Sequence, residues 1–154
     1  MFTIAEAAKA AGTNSATVRT WIHNSKFWFE DHEIERAETN GQAHKITFEG
    51  AMRLALMAKL TLSGVAADRA FQHVLKFFDA GDWHCADKPA RAPGSLYEAG
   101  ETLIVGYAGE DEARIVNAPL DATLASVLDL SKPAAFVIHM NSLRRLMLDS
   151  LAQS

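Results

Sequence analysis

Apolar positions near the start of the chain recur at helical spacing in short bursts divided by strong breakers. Ile4, Ala7, Ala8 and Ala11 stand at i, i+3, i+4 and i+7, one face of a helix. Thr3-Ile4-Ala5-Glu6 before that run has the form of a capping box, in which the threonine caps the helix and the glutamate reaches back. Gly12 follows where a helix stop needs positive φ. Thr13-Asn14-Ser15 offers new caps, so a second helix is expected from Ala16 to about His23. Two short helices joined by a glycine-containing turn form the helix-turn-helix pattern.

The period then changes from 3.6 to 2. Residues 33–38 alternate, residues 43–48 alternate again, and Thr39-Asn40-Gly41-Gln42 lies between them. Asn-Gly is the favoured pair for a type I′ turn, so residues 34–48 predict a β-hairpin with a polar tip, the form of a wing. A third helix starts at Thr47 or Glu49 and reaches Leu62. Met52, Leu54, Ala55, Leu56, Ala58 and Leu60 make it apolar over much of its surface, which predicts deep burial. Ser63-Gly64 breaks it, and a fourth helix runs from about Ala66 to Ala80.

Residues 82–95 hold two prolines and a glycine without periodicity and predict a linker. Beyond it, Thr102–Ala108 and Ala113–Ala118 read as strands joined by a loop at 109–112. Asp121 is expected to cap a short helix reaching Leu130. Ala135–Met140 reads as an apolar strand at the centre of its sheet, and Asn141 or Ser142 as the cap of a last helix ending near Ala152. The expected fold class is α+β. A winged helix-turn-helix domain (two short helices, a β-hairpin wing, two helices) spans 1–81. A small ββαβα domain spans 96–154 and serves dimerisation or ligand sensing.

Composition bounds this picture. Hydrophobic residues are 49% and charged residues 22%, as in globular domains. No apolar run has membrane-spanning length, and the N-terminus lacks a basic segment followed by an apolar one, so neither a span nor a secretory signal is expected. The single cysteine, Cys85, rules out an internal disulfide and fits a cytoplasmic setting. The net charge is −4. Residues 1–81 carry nine Lys/Arg against nine Asp/Glu, and 82–154 carry six against ten. Phosphate binding grows with the number of phosphates neutralised, so any nucleic-acid reading rests on where the charges sit.

The segment 16–23 carries the most chemistry. In a helix, Val18, Trp21 and Ile22 fall on one face and are expected to pack on Ile4 and Ala8. Thr17, Arg19, Thr20 and His23 then face outward. Arginine reads guanine or holds phosphate, and threonine touches a base edge or a thymine methyl. The same pattern also suits an ordinary surface helix. On the hairpin, Arg36 and Lys45 suit phosphate, and Asn40 and Gln42 suit a minor groove, although Asn40-Gly41 also works purely as a turn device. Asp82-Trp83-His84-Cys85-Ala86-Asp87 gathers metal-ligating types but has one thiol and no paired ligands, so no metal is assigned. His139 reads as a structural histidine, without the Ser, Cys or carboxylate that a triad needs. Glu110-Asp111-Glu112 reads as a solvated loop. No phosphate loop, dinucleotide fingerprint or HExxH motif occurs, so neither a cofactor nor an enzyme is expected.

The order of these motifs resembles the MerR superfamily and its excisionase relatives. The first helix stands as Thr3-Ile4-Ala5-Glu6-Ala7-Ala8, and the second carries Val18-Arg19-Thr20-Trp21. Ile46-Thr47-Phe48-Glu49 enters the third helix, and Leu60-Thr61-Leu62-Ser63-Gly64-Val65 precedes the fourth. The resemblance covers roughly residues 1–80. It implies a bacterial or phage-like transcriptional regulator that binds double-stranded DNA. Helix 16–23 would enter the major groove, with hairpin 34–48 on the flanking backbone or minor groove. The chain departs from the family at Thr20, where an aromatic is usual. It departs again in a longer stretch 25–36 bearing Glu30, Asp31, Glu33 and Glu35, and in lacking a long coiled-coil helix and a cysteine cluster. The alternative is a protein-interaction or ligand-sensing module with the helix-turn-helix core as scaffold. Weak binding by one module argues for a homodimer assembled through 96–154.

Overall fold

A computed structural model of the chain describes residues 1–36, 43–82 and 91–153. Among the described residues the fold is α+β, with six helices and two three-stranded antiparallel sheets. The residues gather into two units, 1–71 with 143–154, and 72–142. The division falls within the fourth helix and near the start of the last. Of the expected linker 82–95, residues 83–90 lie outside the described residues. No described helix is long and apolar enough to cross a membrane.

In the first unit, β1 (Phe2–Thr3) leads directly into α1 (Ile4–Ala10). The capping box forms as the residues dictate. Thr3 Oγ1 accepts the Glu6 N–H at 3.2 Å, and Glu6 Oε2 accepts the Thr3 N–H at 2.7 Å. Gly12 takes φ 78° and turns the chain toward α2 (Ser15–His23), whose cap is Asn14, with Oδ1 accepting the Thr17 N–H at 2.8 Å. β2 (Ile34–Glu35) and β3 (Lys45–Ile46) pair antiparallel, as hairpin strands should, and their expected turn, with Asn40 and Gln42, lies outside the described residues. β1 was not foreseen. It pairs with β3, placing Phe2 and Ile34 on either side of Ile46, and Thr3 and Glu35 on either side of Lys45. Two residues are too short to show an alternating pattern, and the sequence hides such a strand.

α3 (Phe48–Leu62), capped by Thr47, is the centre of this unit. It packs on α1 and β3 and is buried on every side, from Gly50 to Ala58 and at Leu60. Burial of each leucine side chain contributes about 1.5–3 kcal/mol. The burial includes Arg53, 1% exposed, whose Nε donates to Glu33 Oε1 at 2.8 Å. Glu33, 0% exposed, also accepts the Glu30 N–H through Oε2 and the Thr47 N–H through its carbonyl. One residue thus ties the loop before β2 to the entry of α3 through its carbonyl and to the middle of α3 through its carboxylate. At the start of α4 (Ala67–Asp79), Phe71 closes on Phe27 and Trp28 at ring distances of 5.3 and 4.2 Å.

In the second unit, β4 (Glu101–Tyr107) lies between β5 (Arg114–Ala118) and β6 (Ala135–His139). β6 is therefore an edge strand and not the central one its composition suggests. β4, buried at six consecutive positions, has the central place. Leu103, Val105 and Tyr107 form one face with Ala118, and Val127 and Leu128 pack on it from α5 (Leu124–Val127) and the residue after it. The α5 helix is shorter than expected, and its cap is Thr123, not Asp121. On the other face, Gly106 sits opposite Phe136, and a Cβ there would run into the aromatic ring. Along the chain α6 (Met140–Ala152) completes the ββαβα order of elements, but from residue 143 on it belongs to the first unit.

The segment read as linker holds a buried arginine. Arg91 Nη1 donates to the carbonyls of Phe77 and Ser95, and Nη2 to that of Ala80. Its guanidinium stands 4.8 Å over the Phe77 ring. It thereby satisfies carbonyls at the end of α4, where a cation also suits the helix dipole. Tyr97, 4% exposed, donates its hydroxyl to Asp82 at 2.8 Å.

Candidate functional site

The outward stripe of α2 is set by its register. Ser15, Arg19, Ile22 and His23 stand at i, i+4, i+7 and i+8 and therefore share a side of the helix. They line a cleft of about 510 Å³ whose opposite wall comes from Thr3, Ile4 and Ala5, with Ala43 and His44 ahead of β3. Its lining includes the apolar Ile4, Ala5, Ile22 and Ala43 together with Arg19, His23 and His44, and none of the described residues that line it is acidic.

This arrangement divides the residues expected to act together. Arg19 and His23 meet in the cleft. Lys45 follows His44 and is exposed, held in register between Thr3 and Glu35. Thr20 is exposed, but its hydroxyl donates back to the Ala16 carbonyl at 3.0 Å, and Thr17 is half-buried; neither lines the cleft. Arg36 is exposed and stands 3.5 Å from Asp31, away from the cleft. Asn40 and Gln42 lie outside the described residues.

One expectation is overturned here. Ile22 was to share the buried face with Val18 and Trp21. Val18 is fully buried and Trp21 half-buried, but Ile22 is 39% exposed. At 100° per residue, Ile22 lies about 40° round the helix from Val18, at the edge of the covered face. The spacing of Ser15, Arg19, Ile22 and His23 is the signal in the sequence that sets Ile22 on the outward side.

The acids of 25–36 do not spoil this face. Glu33 is turned inward onto Arg53, Glu30 accepts the Trp28 indole N–H at 3.2 Å, and Glu35 sits opposite Lys45 in the sheet. Glu6 is held below the usual carboxylate range by the Thr3 hydrogen bonds.

Other groupings have simpler roles. His139 does have a serine and a carboxylate beside it, contrary to expectation: Ser142 Oγ at 2.6 Å from Nδ1, and Glu101 Oε2 at 3.0 Å from Nε2. Nδ1 also accepts the Ser142 N–H at 3.2 Å, so the imidazole caps the first turn of α6. His32, Glu33 and Glu49 could offer ligand atoms within 4.8 Å of one another. The Arg53 guanidinium against Glu33 places a positive charge where a cation would sit, which opposes metal binding. In the second unit, a cleft of about 430 Å³ lies beside Lys76, Asp79 and Glu112, with Lys76 and Glu112 paired at 3.3 Å.

Comparison with protein-family models, curated proteins and solved structures finds no match to this chain.

Proposed function

We propose that the protein is a sequence-specific double-stranded-DNA-binding transcriptional regulator, bacterial or phage-like, with residues 1–81 acting as a winged helix-turn-helix of the MerR/excisionase kind. α2 enters the major groove, and hairpin 34–48 lies along the flanking backbone or minor groove. The observation that carries this reading is the stripe on α2. An exposed helix side with Arg19 and His23, sharing a cleft with His44 and with no carboxylate among the described residues that line it, offers a guanidinium and imidazoles to phosphate and an amphipathic front to base edges.

The reading includes a homodimer through 96–154. β6 supports it: the strand Ala135-Phe136-Val137-Ile138-His139 is at a sheet edge, with Val137 41% exposed. It carries none of the lysines, carboxylates or prolines that usually blunt an edge. Antiparallel pairing of two such edges about a two-fold axis sets no like charges against each other. The cleft beside Lys76 and Glu112 favours a second reading, a ligand-sensing module with the first unit as scaffold.

Enrichment of bound duplexes from a random pool, followed by fluorescence anisotropy across salt, tests the proposal. Binding is expected to weaken with salt along a shallow slope, because few cations face outward among many acids. Failure to bind any enriched duplex at low salt overturns it.

A further inference from the structure

We infer that Ile22 reads the C5-methyl group of a thymine, which makes it a specificity-determining residue of the α2 face. The inference rests on the DNA-binding reading and adds the base that the site selects.

Three observations meet here. Ile22 is a large apolar side chain left 39% exposed on a helix that buries Val18 completely. It shares its side of α2 with Arg19 and His23 and lines the same cleft. The cleft continues its apolar character through Ile4, Ala5 and Ala43, and its lining adds Arg19 and two imidazoles, with no carboxylate among the described residues that line it. An occupant with an anionic edge beside Arg19 and an apolar group against Ile22 fits this lining.

Duplex DNA has that combination. Its backbone is an array of phosphates, and among the base edges of the major groove the thymine methyl is the distinctive apolar group. Arg19, one turn before Ile22, takes a phosphate or a guanine edge and so fixes the register in which Ile22 approaches the neighbouring base. A polar residue at position 22 would leave the methyl against a group it cannot satisfy. The exposed isoleucine favours thymine over cytosine by contact and by the water that both surfaces release.

Removing the methyl alone tests this. A duplex enriched by the wild-type protein is remade in a series, each member with one thymine replaced by deoxyuridine. Deoxyuridine keeps every hydrogen-bonding group and lacks only the methyl. Wild-type protein is expected to lose about fourfold in affinity at one position, the worth of one buried methyl group. Ile22→Ala is expected to bind the thymine and deoxyuridine duplexes equally, and Ile22→Val to recover part of the difference. Exposure of the side chain predicts that both variants fold, which circular dichroism checks.

Persistence of the full thymine preference in Ile22→Ala overturns the inference, as does a wild type indifferent to deoxyuridine at every position. The second result comes from unaltered protein and does not depend on any variant folding. Absence of binding to every duplex removes the DNA-binding reading and this inference with it. Binding without methyl dependence removes the inference alone.

Discussion

The pair Glu33 and Arg53 offers the sharpest test of how the first unit is held. Both side chains are withdrawn from solvent, at 0% and 1% exposure, with Nε 2.8 Å from Oε1. Glu33→Ala takes away the carboxylate and leaves the guanidinium buried without it. Breaking a buried ion pair by removing one partner costs about 3–5 kcal/mol, because the remaining charge keeps its desolvation penalty. The Glu30 N–H loses its acceptor as well. Domains of this size have about 5–15 kcal/mol of stability in all, so the variant should stand near the limit of folding. Urea unfolding followed by tryptophan fluorescence is the assay, since Trp21 and Trp28 both lie in the first unit. With a slope of about 2 kcal/mol per molar urea, the midpoint should fall by about 1.5–2.5 M. The control is Glu33→Leu combined with Arg53→Met. Replacing a whole buried pair by apolar groups of similar volume is often neutral or stabilising, so the double variant should be clearly more stable than Glu33→Ala. A loss below about 1 kcal/mol in Glu33→Ala would falsify the reasoning by showing that the pair is not desolvated as its burial implies. A double variant as unstable as the single one would show that shape, not charge, sets the cost.

Arg19→Ala should weaken DNA binding by about 1–3 kcal/mol in anisotropy, the range for one bidentate contact; its urea midpoint should not move, because the side chain is exposed. Burial and the hydrogen bond to Asp82 raise Tyr97 from 10.0 to about 12, so its contribution to stability is complete below pH 10 and is lost as pH rises toward 12, where the unfolded chain releases the proton first. Burial lowers Arg91 and acts in the opposite sense, so the readout is the difference between wild type and Tyr97→Phe, which should shrink as pH climbs. If the full chain dimerises through β6 as proposed, Val137→Lys should give a monomer in sedimentation at micromolar concentration, since it sets like charges on the paired edges; a wild type already monomeric there refutes the dimer.

Elements fixed by local chemistry were legible in the sequence. The Thr3 and Glu6 box, the turn at Gly12 and the helix entry at Thr47 need only residues within four positions of one another, and each stands where expected. Elements defined by distant partners were not. β1 exists because Ile46 and Lys45 offer an edge to Phe2 and Thr3. β6 looked central because apolar content reports burial without saying which neighbour supplies it. The burial of Arg53 is not legible locally, since its partner Glu33 lies twenty residues away. At the candidate site, Arg19 and His23 were legible from helical spacing. His44 reaches the same cleft from outside that helix, and Ile22 does so because the covered face of α2 is narrower than three apolar positions suggest.

The balance of charge in residues 1–81 looked unfavourable for a partner made of phosphates, and the fold changes its meaning. A formal count weights every carboxylate equally, but a partner meets only those that face it. Glu33 is spent inside the unit against Arg53. Glu6 is occupied by the α1 cap. Asp68 stands 3.5 Å from Lys26, and its own helix start holds it low. Asp31 stands 3.5 Å from Arg36, and Glu35 opposes Lys45 across the sheet. The pairings consume cations too, and for that reason the unit gains no broad basic surface. Among the described residues, the lining of one narrow cleft holds Arg19 and His23 on α2 with His44 ahead of β3, and no acid. Such a lining suits a few directed contacts better than a general hold on the backbone. It therefore predicts low nonspecific affinity and selectivity drawn from groove contacts, the regime in which a single exposed isoleucine weighs most.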